Sequence, residues 1–228
     1  MQNKNVWFIT IFSLIACVLH AVMLQTPFNN YAYTSAFKVA TFILFPLIYL
    51  KISKDGTVKE FFSLFSMNRD RKKIKFSFLL GVGTFAVIVI GFIAAQPLLD
   101  RTMIMDALVS YGITRDNAFF VGLYIVFINA AVEELFFRGF VFMLLYRMNF
   151  KRFAHIYSSL LFAIYHLTIL NAAMAPLIFI LCMVGLVVAG LIFNMLVVKC
   201  KSLGGSLIVH ISANLALNLM IAVFYVYV

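Results

Sequence analysis

AFFVGLYIVFINAAVEELFFRGFVFMLLY, residues 118–146, is an apolar run long enough to cross a hydrocarbon core about 30 Å thick as a helix, yet it carries Glu133, Glu134 and Arg138. An ionisable group at the centre of a spanning helix costs about 2.5–3.5 kcal/mol even on the gentler insertion scale, so such groups face a partner or a water-filled cavity. Working outward, further apolar stretches occupy 6–24, 36–50, 76–98, 153–170, 175–198 and 206–227. Together they predict an all-α, polytopic transmembrane helix bundle of about seven spans. The long fourth run is expected to include a tilted or interfacial turn at either end.

The composition agrees. Of 228 residues, 64% are hydrophobic and 11% charged, and the mean hydropathy is +1.06, far from the balance of a soluble domain. No polar linker, low-complexity tract or internal repeat divides the chain, which reads as a single membrane domain over 1–228. Cys17, Cys182 and Cys200 are far apart and form no CxxC or Cys/His cluster, which argues against a disulfide framework or a thiolate metal site. The run 6–24 lacks a clear small-x-small cleavage site before Gln25 and is read as a retained helix rather than a signal peptide.

Charge orients the spans. Lys51, Lys54, Lys59, Arg69, Arg71, Lys72, Lys73 and Lys75 crowd the loop between the second and third spans, which the positive-inside rule assigns to the cytoplasm. Lys4, Arg147, Lys151, Arg152, Lys199 and Lys201 then fall on the same side, and Lys38, Arg101 and Arg115 on the other. The amino terminus is expected inside and the carboxy terminus outside. A net charge of +10 raises the question of nucleic acid, but the basic residues flank membrane spans, where orientation and anionic lipid headgroups already account for them.

Polar residues recur at helical spacing. Glu134 and Arg138, four apart with the acid first, share a helix face in the order that favours an ion pair. Glu133 is rotated by about 100° from Glu134 and is read as the free carboxylate. Phe162 and His166 on the fifth span, and His210 and Asn214 on the seventh, repeat the four-residue spacing. His20 and His155 stand apart and read as packed or interfacial. Counted from the cytoplasmic ends, Glu133, His166, Asn214 and His210 lie about 20, 18, 12 and 7 Å deep, near enough to surround one cavity opening towards the cytoplasm.

A carboxylate, two histidines and an amide suit hydrolysis of a peptide bond. Glu133 is the candidate general base, since a carboxylate withdrawn from water is a stronger proton acceptor. His166 would polarise the water, and His210 and Asn214 would act as oxyanion donors. The same residues leave a second chemistry open: Glu133, His166 and His210 as ligands of a divalent metal such as zinc, with Asn214 outside the first shell. No HExxH is present, and the reading without a cofactor is slightly favoured. Two non-enzymatic readings stand beside these. One is a catalytically silent scaffold that binds a peptide or partner in the same cavity. The other is a small transporter with Glu133 and the histidines as a proton relay, against which the lack of matching halves and of interrupted spans argues.

At these residues the chain resembles the CAAX-protease and bacteriocin-processing family of intramembrane proteases, also called the Abi family. The EExxxR motif appears as Glu133 to Arg138, FxxxH as Phe162 to His166 and HxxxN as His210 to Asn214, in order and each on a predicted span. The resemblance covers 118–217. It implies a helical intramembrane endopeptidase in which Glu133 and His166 activate water, His210 and Asn214 stabilise the oxyanion, and Glu134, Arg138 and Phe162 support them. The implied partners are a peptide or protein substrate reached from the cytoplasmic side and membrane lipid, without nucleic acid. The motif-poor amino-terminal half is more like the bacterial members, which are linked to peptide maturation or bacteriocin immunity, so a bacterial plasma membrane is the expected location.

Overall fold

A computed structural model of the chain describes residues 2–26, 30–53, 58–65, 71–170 and 175–226, all helices, turns and short connections, with no strand among them. In chain order the helices are α1 (Gln2–Met23), α2 (Tyr31–Val39), α3 (Phe45–Ser53), α4 (Val58–Ser63), α5 (Arg71–Ala95), α6 (Arg101–Ser110), α7 (Ala118–Leu123), α8 (Ala130–Glu133), α9 (Met143–Arg147), α10 (Lys151–Leu170), α11 (Pro176–Cys200) and α12 (Gly204–Val226). Three π-helical segments join some of these end to end: Ala40–Leu44 between α2 and α3, Tyr124–Asn129 between α7 and α8, and Glu134–Phe142 between α8 and α9.

Among the described residues six helical stretches are long and apolar enough to cross a membrane: Asn5–Met23, Tyr31–Ser53, Lys72–Leu98, Ala118–Arg147, Pro176–Cys200 and Gly204–Tyr225. The remaining predicted span, 153–170, lies in α10, which packs against both α1 and α11. Of the residues used above, Lys54, Arg69 and Tyr227 lie outside the described residues, as do the side chains of Lys4 and Arg71.

The fourth span is the axis of the bundle. Phe136, Phe137, Phe140, Phe142 and Leu145 are fully buried on it, and Phe42 stacks on Phe136 with ring centroids 4.0 Å apart. α5 and α11 instead turn most of their apolar side chains outward; Phe78, Leu79, Val87 and Ile180 are all more than half exposed. A helix that is apolar all round, with so much of that surface outside the protein core, is at home in lipid, and the chain is an integral membrane protein. α1 is part of the bundle, burying Ile9, Ala16, Cys17 and His20, and all three cysteines are free thiols.

The irregularity expected at the ends of the fourth span lies in its middle. Two π segments, Tyr124–Asn129 and Glu134–Phe142, flank α8, and their wider turns present main-chain carbonyls to neighbouring helices. The carbonyl of Phe137 accepts a hydrogen bond from Ser158 Oγ of α10 at 2.9 Å, and that of Ile125 accepts one from Asn214 Nδ2 of α12 at 3.0 Å. These bonds tie the fourth span to two neighbours without the apolar driving force that water supplies to soluble cores. Gly190 of α11 sits so close to α10 that a Cβ there would lie 2.8 Å from Ser159 Cα.

The two ends of the bundle are distinct. At one, Leu203 N and Ser202 Oγ donate to the Leu64 carbonyl at 2.6 and 3.0 Å; at the other, Tyr31 N donates to Tyr111 O at 2.8 Å and Tyr225 OH to Ile113 O at 2.9 Å. This pairing agrees with the alternation of loops read from the charges. One assignment is corrected: Lys38, counted above among the charges of the outer side, is 7% exposed inside the bundle, because its helix begins at Tyr31 and so carries it two turns from the helix start into the apolar region.

Candidate active site

Glu133 ends α8, and Glu134 begins the π segment that also holds Arg138. All three are buried, at 1%, 0% and 0% exposure. Arg138 Nη1 lies 3.4 Å from Glu134 Oε1, so the ion pair expected from the four-residue spacing forms, and the guanidinium is sandwiched 4.1 Å from the Phe162 ring and 4.8 Å from the Phe193 ring. Planar, delocalised charge between two aromatic faces is a stable way to hold arginine away from water.

Glu133 is not free, and that expectation is corrected. Its Oε1 accepts a hydrogen bond from Asn129 Nδ2 at 2.8 Å and lies 3.4 Å from both Lys38 Nζ and Tyr165 OH. Lys38 Nζ also donates to Asn129 Oδ1 at 2.6 Å, and the Tyr165 hydroxyl is held by His20 Nε2 at 3.1 Å. His20, read above as an isolated packed histidine, therefore belongs to the surroundings of the site. Glu133 Oε2 is the contrasting atom: buried, it has no hydrogen-bond partner among the described residues, and it faces His210 Nε2 at 3.6 Å and His166 Nε2 at 3.8 Å.

Both histidines are oriented by their other nitrogen. His166 Nδ1 donates to the Phe162 carbonyl at 2.8 Å, one turn back along α10, and the two rings meet edge to face at 4.6 Å. His210 Nδ1 donates to Glu134 Oε1 at 3.0 Å, and its ring stacks on Phe193 with centroids 5.3 Å apart. With Nδ1 carrying the proton, each neutral ring presents a lone pair at Nε2; Nε2 donates only when the ring holds both protons. Thus Glu133 Oε2 and two imidazole nitrogens converge on one locus from the fourth span, α10 and α12. The side chains of Glu133 and His210 meet despite the different depths counted for them along their helices.

Among the described residues Asn214 makes no hydrogen bond to Glu133 Oε2. One turn beyond His210, its Nδ2 donates to the Ile125 carbonyl, which commits one of its two amide hydrogens. Among the described residues no group of three or more His, Cys, Asp or Glu is arranged to hold a metal, and the ammonium of Lys38 faces the Glu133 carboxylate. A cleft of about 710 Å³ opens beside the site, between α2 with its π extension and the start of the fourth span, lined by Ser35, Val39, Ile43, Phe120 and Tyr124 among others. None of Glu133, His166, His210 or Asn214 lines it.

Sequence reasoning missed Lys38, Asn129 and Tyr165. Lys38 carried a legible signal, a lone cation two residues into a predicted span; Asn129, four residues before Glu133, carried a weaker one. Tyr165, in an aromatic-rich chain, carried none.

The fold and this centre define a polytopic helical membrane protein with two adjacent glutamates, an arginine and a histidine buried in the bundle and a second, half-buried histidine beside them. Residues 115–216 match the family model described as type II CAAX prenyl endopeptidase Rce1-like, consistent with the CAAX-protease family that the three motifs resemble. That is a protease family, and the match spans just under half of the chain. No curated protein and no solved structure matches the chain.

Proposed function

We propose that the chain is an intramembrane endopeptidase in which Glu133 activates water for attack on a peptide bond. The observation that carries this reading is the asymmetry of the Glu133 carboxylate, with Oε1 surrounded by donors and Oε2 left to face the Nε2 atoms of His166 and His210. A water at this locus gives one proton to Oε2 as its oxygen attacks the scissile carbonyl carbon, and His166 Nε2 aligns it through a second hydrogen bond. The tetrahedral oxyanion is stabilised by His210, when its ring holds both protons, and by the uncommitted N–H of Asn214. Collapse breaks the C–N bond, and Glu133 returns the proton to the leaving amine, which regenerates the carboxylate. Glu134 and Arg138 hold His210 in place.

The charge pattern supports an inward amino terminus and an outward carboxy terminus, and the family resemblance supports a peptide or protein substrate reached from the cytoplasmic side of a bacterial plasma membrane. The test is cleavage by the detergent-purified chain of a panel containing a peptide with a prenylated cysteine three residues from its end and unmodified peptides, beside Glu133→Gln and His166→Ala. Both variants should lose at least about 10²-fold in rate while remaining folded, and the native rate should survive metal chelation. Loss on chelation with recovery on added zinc would replace this mechanism by a metal-dependent one. Cellular function that persists in both variants would replace the peptidase by a binding scaffold.

A further inference from the structure

Lys38 is a buried cation on α2, outside the segment that matches the family model, and such a group is costly enough to demand a purpose. Its contacts are specific. Lys38 Nζ donates to Asn129 Oδ1 at 2.6 Å, and Asn129 Nδ2 donates to Glu133 Oε1 at 2.8 Å, so the amide bridges the ammonium to the carboxylate while Lys38 also reaches Oε1 directly at 3.4 Å. Tyr165 OH approaches the same oxygen at 3.4 Å, and the Tyr165 ring lies 5.3 Å from the ammonium. Every one of these donors addresses Oε1. None addresses Oε2, the oxygen that faces His166 and His210.

We propose that Lys38, acting through and beside Asn129, is a positioning residue that fixes the plane of the Glu133 carboxylate and so selects Oε2 as the oxygen that takes the proton from water. Three donors, one each from α2, the π segment Tyr124–Asn129 and α10, surround Oε1, and rotation of the carboxylate out of its plane breaks the short Asn129 bond and withdraws Oε1 from the ammonium. The reactive oxygen is thereby held still in a site without bulk water to reorient it. The same ammonium balances the carboxylate's charge, as a metal ion would in other hydrolases. This inference rests on the peptidase reading, and it assigns to the amino-terminal half of the chain a part in the chemistry.

The experiment is steady-state cleavage of the peptide panel by the full chain in detergent, comparing native protein with Lys38→Met, Lys38→Arg, Lys38→Ala and Glu133→Gln. Lys38→Met, similar in length but uncharged, should lower kcat by about 10²-fold and leave KM within about threefold, since a small misplacement of a reacting group has that effect. Lys38→Arg should recover at least about tenfold of that loss, and added propylammonium should raise the rate of Lys38→Ala, neither of which a packing role would produce. If Lys38→Met does not fold, Asn129→Ala and Tyr165→Phe decide, each with kcat lowered about tenfold at unchanged KM. Native kcat in Lys38→Met, or in both of those variants, overturns the positioning role alone. Absence of any cleavage that Glu133→Gln abolishes overturns the peptidase reading and this role with it.

Discussion

Replacing Arg138 by methionine tests how the site is held together. Arg138 is fully buried, with Nη1 3.4 Å from Glu134 Oε1 and its guanidinium plane 4.1 and 4.8 Å from the Phe162 and Phe193 rings. Methionine keeps a flexible apolar stem in the same space but is two atoms shorter, so it removes the guanidinium with its charge and part of the contact with both rings. Glu134 is then left as a buried carboxylate held by His210 Nδ1 at 3.0 Å and by the Ser206 hydroxyl, without its arginine. Breaking one side of a buried pair costs about 3–5 kcal/mol, because the surviving charge has neither water nor a counter-charge. For a chain of this size each kcal/mol is worth about 2–4 °C, so thermal unfolding in detergent should fall by about 6–20 °C. The double variant Glu134→Leu/Arg138→Met removes both charges and should recover at least half of that shift, since the larger part of the penalty lies in the unpaired charge. An Arg138→Met protein within about 1 kcal/mol of native, or a double variant no more stable than the single one, would refute the account of this pair as mutually compensating charges.

Two further outcomes follow from the geometry. Gly190→Val forces a branched side chain against Ser159 Cα, 2.8 Å from the new Cβ, and should destabilise the α10–α11 contact by about 1–3 kcal/mol, whereas Gly185→Ala, with nothing within 4 Å, should be neutral in the same melt. Asn214→Ala removes the bond to the Ile125 carbonyl and should lower stability by about 1 kcal/mol. If Asn214 is also an oxyanion donor, kcat falls by about 10²–10³-fold at little changed KM; a stability loss with native kcat would restrict it to tethering α12.

Hydropathy and charge spacing determined most of the architecture, because a bilayer demands long apolar helices and penalises each buried charge. Glu133, Glu134, Arg138, His166 and His210 were visible as polar exceptions inside apolar runs, and the four-residue interval between Glu134 and Arg138 already implied their pairing. Tertiary structure decided the rest. Nothing in the one-dimensional pattern shows that the fourth span widens into π turns on either side of α8, since that choice depends on the carbonyl partners Ser158 and Asn214 supplied by other helices. Lys38 was legible as a charge but not as a neighbour of Glu133, 95 residues away, because the pairing is set by how α2 packs against the fourth span. Helical periodicity ties together residues three or four apart; which distant helices share a face, and which oxygen of a carboxylate each one addresses, is fixed only when the bundle closes.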